Sequence, residues 1–502
     1  MNTALFGIVL STILGLLFVF LFAILVLEQR NNGRKLPGPA WVPLVGNRRE
    51  LKSDSDMRIA LRRLQHKYGD IYKLYLGPSP VIVVCGYEAI REMFIKRGIE
   101  FSDRPAAILG AIILNGGKGI TAVSGDTWKN QKRFILATLR NFGLGKSTLE
   151  NKIHREVNLF LSEIEKQNQA LFHMMSPIAT SVGNVISHLV FGGHFSYDDA
   201  RFKTMADAFS SFLRFVSIGS PVIFWPILRF IPGDLFGIKI ITQKMQVVRG
   251  FVNELIDEHL KKFDERNIED FIDAFISEMK KVDNRESRSI FTREYLVAIV
   301  MDLFLAGTET TSTTFTWASF YLASRPDIQN LIFDEINEHV GTERLPSIQD
   351  KQNLVYTEAF IMEVLRISSI IVLSVAHAPV TDVCIRGYRI PKGIRILPDI
   401  HSVLSDPKVW GDPENFRPGR FVSEDGKLIK PDEFIPFFTG KRNCLGASLA
   451  QMELFLFISA LVQRFEIKPP EGETLDIKDV DEYVGGVHSP KPFYIRAIPR
   501  HV

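Results

Sequence analysis

The stretch that decides the fold is Phe437-Phe438-Thr439-Gly440-Lys441-Arg442-Asn443-Cys444-Leu445-Gly446. A single cysteine lies in a loop bracketed by two glycines, and a helical pattern follows at once over residues 447–455. The sulfur is therefore expected at a helix N-terminus, where unpaired amides and the helix dipole favour negative charge. This placement predicts that Cys444 is stabilised as a thiolate before any metal binds, which suits an iron ligand.

A buried structural cysteine in a glycine-rich turn is the alternative interpretation. Gly440 and Gly446 favour the ligand, because they allow a flat partner to approach the backbone closely. Arg442 can neutralise an anionic substituent of that partner. The whole pattern Phe-x-x-Gly-x-Arg-x-Cys-x-Gly, which begins at Phe437, resembles the haem-binding loop of the cytochrome P-450 family. The resemblance implies haem b held by this loop, with Cys444 as the iron ligand.

Composition allows a large buried core and gives no sign of nucleic-acid binding. The chain has 502 residues, of which 46% are hydrophobic and 23% charged, and its net charge is only +3. No basic block with interleaved aromatic residues is present. The three cysteines, an odd and low number, fit a reducing compartment rather than a disulfide framework. Cys85 and Cys384 lie in apolar stretches and are expected to fill the core.

The N-terminus predicts a membrane anchor over residues 1–28. Residues 2–27 carry no charge, and about 20 helical residues are enough to cross the hydrocarbon core. A cleaved signal peptide is the alternative, but no basic segment precedes the apolar run and no small-residue cleavage site follows it. Arg30, Arg34 and Lys35 come next, so the positive-inside rule predicts that the remaining chain is cytosolic. The features of a mitochondrial transit peptide are absent.

A basic and proline-rich hinge is expected over residues 29–47, followed by a catalytic domain over residues 48–502. Proline fixes φ, so this hinge is a stiff connector between membrane and domain. It resembles the hinge of microsomal members of the same family. An anchor of this kind implies the endoplasmic reticulum membrane as the location.

Periodicity predicts a mainly α protein with small β-sheets. Residues 71–76 and 81–84, separated by Gly-Pro-Ser-Pro, indicate a hairpin. Most of the chain from there to residue 352 has helical periodicity, and strand signals return around residues 385–393 and near the C-terminus. The resemblance implies the cytochrome P-450 fold behind a single transmembrane helix.

A helix of roughly 32 residues is predicted from Thr292 to Ser324. Its middle, residues 306–311, reads Ala-Gly-Thr-Glu-Thr-Thr, although glycine and threonine cost about 0.5–1 kcal/mol in a helix interior. Helix packing through small residues is one explanation. The other is the family resemblance, which implies an oxygen-activation helix in which Glu309 and Thr310 relay the protons that dioxygen cleavage consumes.

Glu363 and Arg366 lie three residues apart and therefore share one helical face. Such a pair is usually exposed and contributes little, but its apolar neighbours indicate burial, and a buried pair needs further partners. Arg420 is the expected partner. The arrangement resembles the family's network that supports the haem loop, so these residues are structural.

The resemblance also implies residues that contact the haem propionates: Arg104, Trp128, Lys132, His377 and Arg442. The family usually has arginine four residues after the tryptophan, and lysine keeps that charge without bidentate geometry. Either Lys132 or Arg133 is therefore the contact. For His377, a hydrogen-bonded loop histidine is the competing interpretation.

Substrate-facing segments follow from analogy alone: residues 108–113, 212–230, 298–306, 370–376 and 484–487. These segments are mostly apolar, which favours a lipophilic small-molecule substrate such as a fatty acid, steroid, terpenoid or xenobiotic. The second segment is dense in aromatic residues and is also expected to dip into the membrane surface.

A positive patch on the cysteine side of the haem is predicted from Lys129, Lys132, Arg133, Arg140 and Lys441. It would attract an acidic electron donor, although ordinary solvated charges explain the same residues. The resemblance implies NADPH-cytochrome P-450 reductase as the donor, with a b-type cytochrome as a second candidate.

The sequence thus predicts a haem-thiolate monooxygenase that inserts one oxygen atom of O2 into a lipophilic substrate by hydroxylation or epoxidation. Two other functions remain open at this level. One is a haem-thiolate isomerase or dehydratase, which the intact Glu309-Thr310 pair argues against. The other is a non-enzymatic haem-binding sensor.

Overall fold

The structure is a computed structural model of the chain. It describes residues 15, 35–43, 45–52, 56–105, 113–114, 116–143, 147–216, 222, 225–281, 290–478, 480, 482–483 and 486–500. The predicted anchor therefore lies outside the described residues, apart from residue 15. The same holds for residues 108–112, 217–221, 223, 224, 484 and 485 of the predicted substrate-facing segments.

Helices dominate the described chain, as predicted. The α-helices are α1 (Arg48–Lys52), α2 (Met57–Tyr68), α3 (Tyr87–Ile90), α4 (Gly125–Asn141), α5 (Ser147–Glu165), α6 (Met175–Val190), α7 (Ala200–Phe215), α8 (Ile238–Lys262), α9 (Phe271–Lys281), α10 (Arg293–Ser324), α11 (Pro326–His339), α12 (Val355–Ser368), α13 (His401–Leu404), α14 (Pro407–Trp410) and α15 (Ala447–Arg464). A π-helical turn, Arg91–Lys96, continues α3.

The strands are short and lie mainly towards the two ends of the chain. They are β1 (Ile71–Leu76), β2 (Ser79–Val84), β3 (Val383–Ile385), β4 (Tyr388–Ile390), β5 (Arg395–Pro398), β6 (Phe465–Lys468), β7 (Glu482–Tyr483), β8 (Ser489–Pro490) and β9 (Arg496–Pro499). The predicted hairpin is confirmed, with Ile71 opposite Val84 in the antiparallel pair. β5 joins β2 in parallel and so ties the C-terminal half of the chain to the N-terminal half.

The axis of the core is α10, whose predicted bounds are confirmed to within one residue. It is apolar or small on nearly every face, as expected for a helix surrounded by other helices. It ends at Arg325, because Pro326 opens α11 at a position where its missing N–H costs nothing.

α10 is also the one helix within the described residues that is long and apolar enough to cross a membrane. Of its most apolar window, 72% is buried inside the protein, so we interpret it as a core helix. Around it pack α6, α8, α12 and α15, and the cysteine loop precedes α15.

Two cysteine predictions have different outcomes. Cys85 is buried, as expected, but Cys384 is exposed. Cys384 lies at the centre of β3, between the buried Val383 and Ile385, so the alternation of the strand turns it to the outer face.

Candidate functional site

The cysteine loop folds back on itself before α15 begins. Residues Gly440–Arg442 form a 3-10 turn, and the backbone N–H of Cys444 donates to the Phe437 carbonyl at 3.0 Å. The backbone N–H groups of Gly446 and Ala447, at the start of α15, donate to the cysteine sulfur. The predicted placement of the sulfur at a helix N-terminus is thereby confirmed.

The prediction that this sulfur is stabilised as a thiolate is not confirmed. Cys444 is exposed as a residue, but the protein around its sulfur desolvates the thiol and raises its pKa, and the two amides lower it by less. The expectation that the helix terminus alone would stabilise the thiolate was therefore wrong, because the desolvation of an anion outweighs two hydrogen bonds here. A thiolate at this position needs a further positive centre, such as a metal ion.

Gly440 brings the cysteine loop against the π-helical turn. Its φ is +77°, and a Cβ atom there would overlap the carbonyl oxygen of Phe94. Only glycine fits both conditions. The Phe94 ring in turn packs on Phe438 at 5.2 Å and on His377 at 4.7 Å between centroids. The loop and the predicted haem-contact histidine are thus held by one aromatic group.

The guanidinium of Arg442 is buried among backbone carbonyls. It donates to the carbonyl oxygens of Ser102 at 2.8 Å, Ile120 at 3.3 Å and Val123 at 2.6 Å. Its Cζ lies 3.9 Å from the centroid of the Trp128 ring, which places the cation over an aromatic face.

Arg104 is held in the same way from the other side. It donates to the Thr121 carbonyl at 3.0 Å and, through Nη1, to the carbonyls of Val375 and Ala376 at 2.9 Å each. Arg104 and Arg442 lie close enough that Arg104 is the second cause, after burial, of a lowered pKa at Arg442.

Lys132, rather than Arg133, belongs to this group. Its Nζ donates to the Lys441 carbonyl at 2.7 Å and lies 5.4 Å from the Trp128 ring centroid. Burial, followed by the charges of Arg442 and Lys441, lowers the pKa of Lys132. Arg133 is exposed on the outer side of α4.

His377 is buried and retains one unpaired ring nitrogen. Its Nδ1 lies 2.8 Å from the Phe101 carbonyl, and its Nε2 has no hydrogen-bond partner. Burial, with the nearby charges of Arg104 and Arg442, lowers its pKa well below the usual value. The Nδ1–H therefore donates to the Phe101 carbonyl, which leaves Nε2 available to a partner from outside the chain.

Together Arg104, Trp128, Lys132, His377 and Arg442 form what we call the cation cluster. Throughout the described part of the chain, no carboxylate lies within 4 Å of the charged atoms of Arg104, Lys132 or Arg442, although Asp103 acts on Arg442 from further away. Buried cations normally have a counter-charge. This cluster has the chemistry of an anion-binding site.

α10 has an accessible strip in the middle of its buried length. Ala306 is exposed, and Gly307, Glu309 and Thr310 are partly accessible, between turns that are almost wholly buried. The Thr310 hydroxyl donates to the Ala306 carbonyl at 2.6 Å. A Cβ atom on Gly307 would overlap Ile186 of α6, so the packing explanation accounts for this glycine but not for the open alanine.

Glu309 points away from Thr310 and towards α7. Its Oε1 accepts a short hydrogen bond from the Ser210 hydroxyl. Burial raises the pKa of Glu309, while Ser210 and the charge of Arg214 lower it by less. The acid is thus held half-desolvated by a residue of another helix.

The predicted network of Glu363, Arg366 and Arg420 is present and closed. Arg366 binds both oxygens of Glu363, at 2.8 and 2.9 Å, and Arg420 Nε lies 3.1 Å from Oε1. The remaining guanidinium donors reach carbonyls, among them those of Leu404 and Trp410, and the carboxylate of Asp412, which lies 3.2 Å from Arg420 Nη2. Every charge and donor here has a partner inside the chain.

Three polar contacts near these residues were not anticipated: Ser210 to Glu309, Thr121 to Asp302, and Thr311 to Glu453. Each joins elements that are far apart in sequence. Asp302 accepts from both the N–H and the hydroxyl of Thr121, and so fixes the segment before α4 on α10. Only Glu453 had a signal in the sequence, as a lone acid within an apolar helix.

Comparison with known proteins agrees with the resemblance found in the sequence. Residues 36–497 match the family model described as Cytochrome P450. The chain is 36% identical to mouse Cytochrome P450 2J5 over 494 residues, covering 98% of this chain and 96% of that protein. It is also 36% identical to rat Cytochrome P450 2C23, covering 94% of this chain and 95% of that protein. Human Cytochrome P450 2U1 is 36% identical over 88% of this chain and 86% of its own length.

Proposed function

The chain belongs to the cytochrome P450 family of haem-thiolate monooxygenases, and we propose that Cys444 supplies the thiolate that binds the haem iron. Membership implies haem b as cofactor, O2 as co-substrate and electrons from a redox partner. The observation that supports the assignment is the exposed position of Cys444, whose sulfur accepts from two backbone N–H groups at the start of α15.

The residues present fit haem. A porphyrin with two propionates is anionic at its edge, and the cation cluster offers buried positive charge with no carboxylate to compete. The indole of Trp128 lies in the same group, and the unpaired Nε2 of His377 can donate to a propionate once the charge of that anion favours a proton on this nitrogen. The accessible strip of α10, around Ala306, offers small side chains that a flat ring system can approach. We therefore assign Arg104, Trp128, Lys132, His377 and Arg442 to the propionate side, and Phe437 and Gly446 to the loop around the thiolate.

The haem, when bound, supplies activation of dioxygen, which a thiolate ligand favours by pushing electron density towards the O–O bond. The chain's own contribution is proton delivery and the exclusion of water. Thr310 offers a hydroxyl on the accessible strip, and Glu309 is the nearest acid along α10. Because burial raises its pKa, Glu309 can hold and release a proton nearer to neutral pH than an exposed carboxyl group does.

We assign a lipophilic substrate to this site. Of the proposed lining, Val372 and Ala376 are buried apolar residues, and Val375 presents 52% of its surface although it lies beside the Arg104 contact. Phe212 is buried on the inner face of α7. Such a lining offers little to bind a charged substrate and much to bind an apolar one.

Attachment to the endoplasmic reticulum membrane, with the domain on the cytosolic side, belongs to the same proposal. The uncharged N-terminal 1–28 is its basis in the sequence. Its support in the structure is a run of exposed apolar side chains before and along α8: Phe230, Ile231, Leu235, Ile240 and Val247. An apolar surface of this kind is suited to contact with lipid.

For the electron donor we propose NADPH-cytochrome P-450 reductase, with a b-type cytochrome as an additional donor. Lys129, Arg133, Arg140 and Lys441 are all exposed on α4 and the cysteine loop, although Lys129 pairs with Asp126 at 2.9 Å. An acidic donor is attracted to such a surface, and the attraction weakens with salt. The rate of first electron transfer should therefore fall as ionic strength rises, and less steeply in an Arg133→Gln/Arg140→Gln variant.

The decisive experiment is the spectrum of the reduced protein under carbon monoxide. Thiolate ligation gives the long-wavelength Soret band, and we expect it in the native chain and in Cys384→Ser, whose thiol is exposed on β3. We expect its loss in Cys444→Ser. Persistence of the band in Cys444→Ser would refute the assigned ligand.

Turnover distinguishes a monooxygenase from an isomerase or a sensor. With reductase and NADPH, a panel of lipophilic compounds should yield products that carry one oxygen atom from O2, detected by isotope labelling and mass spectrometry. Replacing Thr310 by Ala should divert electrons to peroxide, because proton delivery is impaired. Unchanged product per NADPH in that variant would remove the proton-relay assignment while leaving the haem ligand intact.

A further inference from the structure

A second group of ligand-type side chains lies away from the cysteine loop, between α5, the end of α6 and the turn that follows it. It consists of Glu156, His188 and His194, whose ligand atoms all lie within 4.8 Å of one another. We propose that these three residues form a site for a divalent transition metal ion, with Zn²⁺ as the expected occupant.

The carboxylate of Glu156 is the centre of the group. Its side chain is 0% exposed, and its Oε1 lies 3.1 Å from both His188 Nε2 and His194 Nδ1. Its Oε2 is buried with no hydrogen-bond partner. Within the described residues, no lysine or arginine forms an ion pair with it. A buried carboxylate with one open oxygen and two imidazole nitrogens beside the other is suited to binding a cation.

The geometry suits a small metal ion. Two N or O ligands about 2.0–2.2 Å from a tetrahedral Zn²⁺ lie roughly 3.3–3.5 Å apart, so the present 3.1 Å separations need to open by only a few tenths of an ångström. The two rings are nearly parallel, at 25°, with centroids 5.9 Å apart. Both nitrogens can therefore face one point beside the carboxylate.

Contacts within the chain hold the turn that carries His194 in place without a metal ion. The side chain of Asn184, one helical turn before His188, binds both backbone groups of Phe195, at 2.8 and 2.9 Å. Gly192 takes a positive φ of 64°, and a Cβ atom on Gly193 would overlap the Phe191 ring. His194 is thus fixed opposite His188 by a buried clamp rather than by a flexible loop.

For metal binding, each imidazole must carry its proton on the nitrogen that is remote from Glu156. His188 and His194 are 15% and 37% exposed, so water can accept from that nitrogen. The same exposure leaves room for a water as fourth ligand. Two imidazoles and one carboxylate are borderline donors, which suit Zn²⁺ and its neighbours and exclude a preference for Ca²⁺ or Mg²⁺.

A second histidine-acid group, His259 with Asp270 and Asp273, differs in how its ring nitrogens are used. His259 Nε2 lies 2.8 Å from Asp270, and its Nδ1 lies 2.7 Å from the Leu255 carbonyl. Both ring nitrogens are therefore donors. The hydrogen bonds that they donate to Asp270 and Leu255, with the charges of Asp270 and Asp273, outweigh burial and raise the pKa of His259 to about 9. The cation that this group needs is a proton already on the ring, so it serves as a matched control.

The test uses the haem-loaded chain. The protein is stripped with a chelator, loaded with Zn²⁺ and freed of excess metal, and zinc is counted by mass spectrometry against haem iron. We expect one zinc per haem in the native chain and in His259→Gln. We expect at least a tenfold loss of bound zinc in Glu156→Gln and in His194→Gln, the latter being a half-exposed change that leaves the core intact.

X-ray absorption at the zinc edge identifies the ligands without interference from iron. Nitrogen and oxygen neighbours near 2.0–2.1 Å, with the signature of two imidazoles, are expected. Sulfur neighbours near 2.3 Å would mean that zinc is held by a cysteine such as Cys384, and would overturn the proposal. So would equal zinc content in the native chain and both site variants. Neither result depends on turnover, so the proposed monooxygenase activity can be refuted without refuting this metal site.

Discussion

The protein has two groups of arginines, which differ in whether carboxylates of the chain balance their charge. Arg366 and Arg420 bind the carboxylate of Glu363, and their other donors reach carbonyls and the carboxylate of Asp412, so that network is complete. Arg104 and Arg442 are partly buried, and within the described residues the hydrogen bonds of their side chains go only to carbonyls. One group is neutralised by the chain itself and the other is not.

This difference distinguishes an arginine group that supports the fold from one that is available to bind a ligand. A buried guanidinium without a counter-charge is costly, and mutual repulsion between Arg104 and Arg442 increases that cost. Carbonyl oxygens hold these side chains in place but carry no net charge. The cation cluster is therefore poised for an anion from outside the chain, whereas the Glu363 network needs nothing more.

The largest expected effect comes from breaking the closed network. Glu363→Gln leaves Arg366 buried without a counter-charge and Arg420 with Asp412 alone, and breaking a buried pair costs about 3–5 kcal/mol. Urea denaturation followed by circular dichroism should show this loss in the free energy of unfolding. Asp425→Asn, which removes an exposed partner of Lys427, is the control and should change nothing measurable. Equal stability of Glu363→Gln and native protein would contradict the comparison.

The cation cluster should respond differently, by losing cofactor before it loses fold. Arg442→Met removes a charged donor from the proposed propionate site, and a hydrogen bond to a charged group contributes about 1.5–3 kcal/mol. Haem transfer to apomyoglobin should therefore be faster by roughly ten- to a hundredfold. Arg442→Lys keeps the charge but not the fork, so an intermediate rate is expected. An unchanged rate in both variants would mean that the cluster is not where haem binds.

A smaller effect distinguishes two neighbours on α4. Lys132→Met removes a cation that lies over Trp128, which should speed haem loss by about threefold to tenfold. Arg133→Met is the matched control, since that residue is exposed, and its haem-loss rate should equal that of the native chain. The reverse ranking would place the contact at Arg133 after all.

The sequence predicted the features that depend on local pattern. The cysteine loop, the bounds of α10, the hairpin and the Glu363-Arg366 pair all follow from residues that are close together in the chain. The orientation of Cys384 was also available, because a central residue of a short strand between two buried neighbours faces outward. The error was to infer burial from an apolar neighbourhood without applying the period of two.

What the sequence could not provide is pairing between helices. The contacts of Ser210 with Glu309 and of Glu156 with His188 and His194 join elements whose proximity is set by packing, and no spacing in the chain encodes it. The balance of charge at Cys444 was out of reach for a related reason. Helix dipoles can be read from a motif, but the desolvation that outweighs them depends on the whole fold.

The smallest predicted effect concerns an acid rather than a cation. This acid is Glu309, which forms no ion pair within the described residues. Glu309 is held by the Ser210 hydroxyl, which lowers a pKa that burial has raised. Ser210→Ala removes this hydrogen bond to the charged form, so the pKa of Glu309 should rise further and its proton should persist to higher pH.

If Glu309 carries protons for turnover, the alkaline limb of product formed per NADPH should move to higher pH in Ser210→Ala. Ser211→Ala is the matched control, because Ser211 lies next along α7 and accepts from Lys244 at 2.9 Å rather than binding Glu309. Superimposable pH profiles for the two variants would show that Ser210 only helps to pack α7 on α10. A shift confined to Ser210→Ala would show that a buried charge without a counter-ion, here as in the cation cluster, marks a working part of the site.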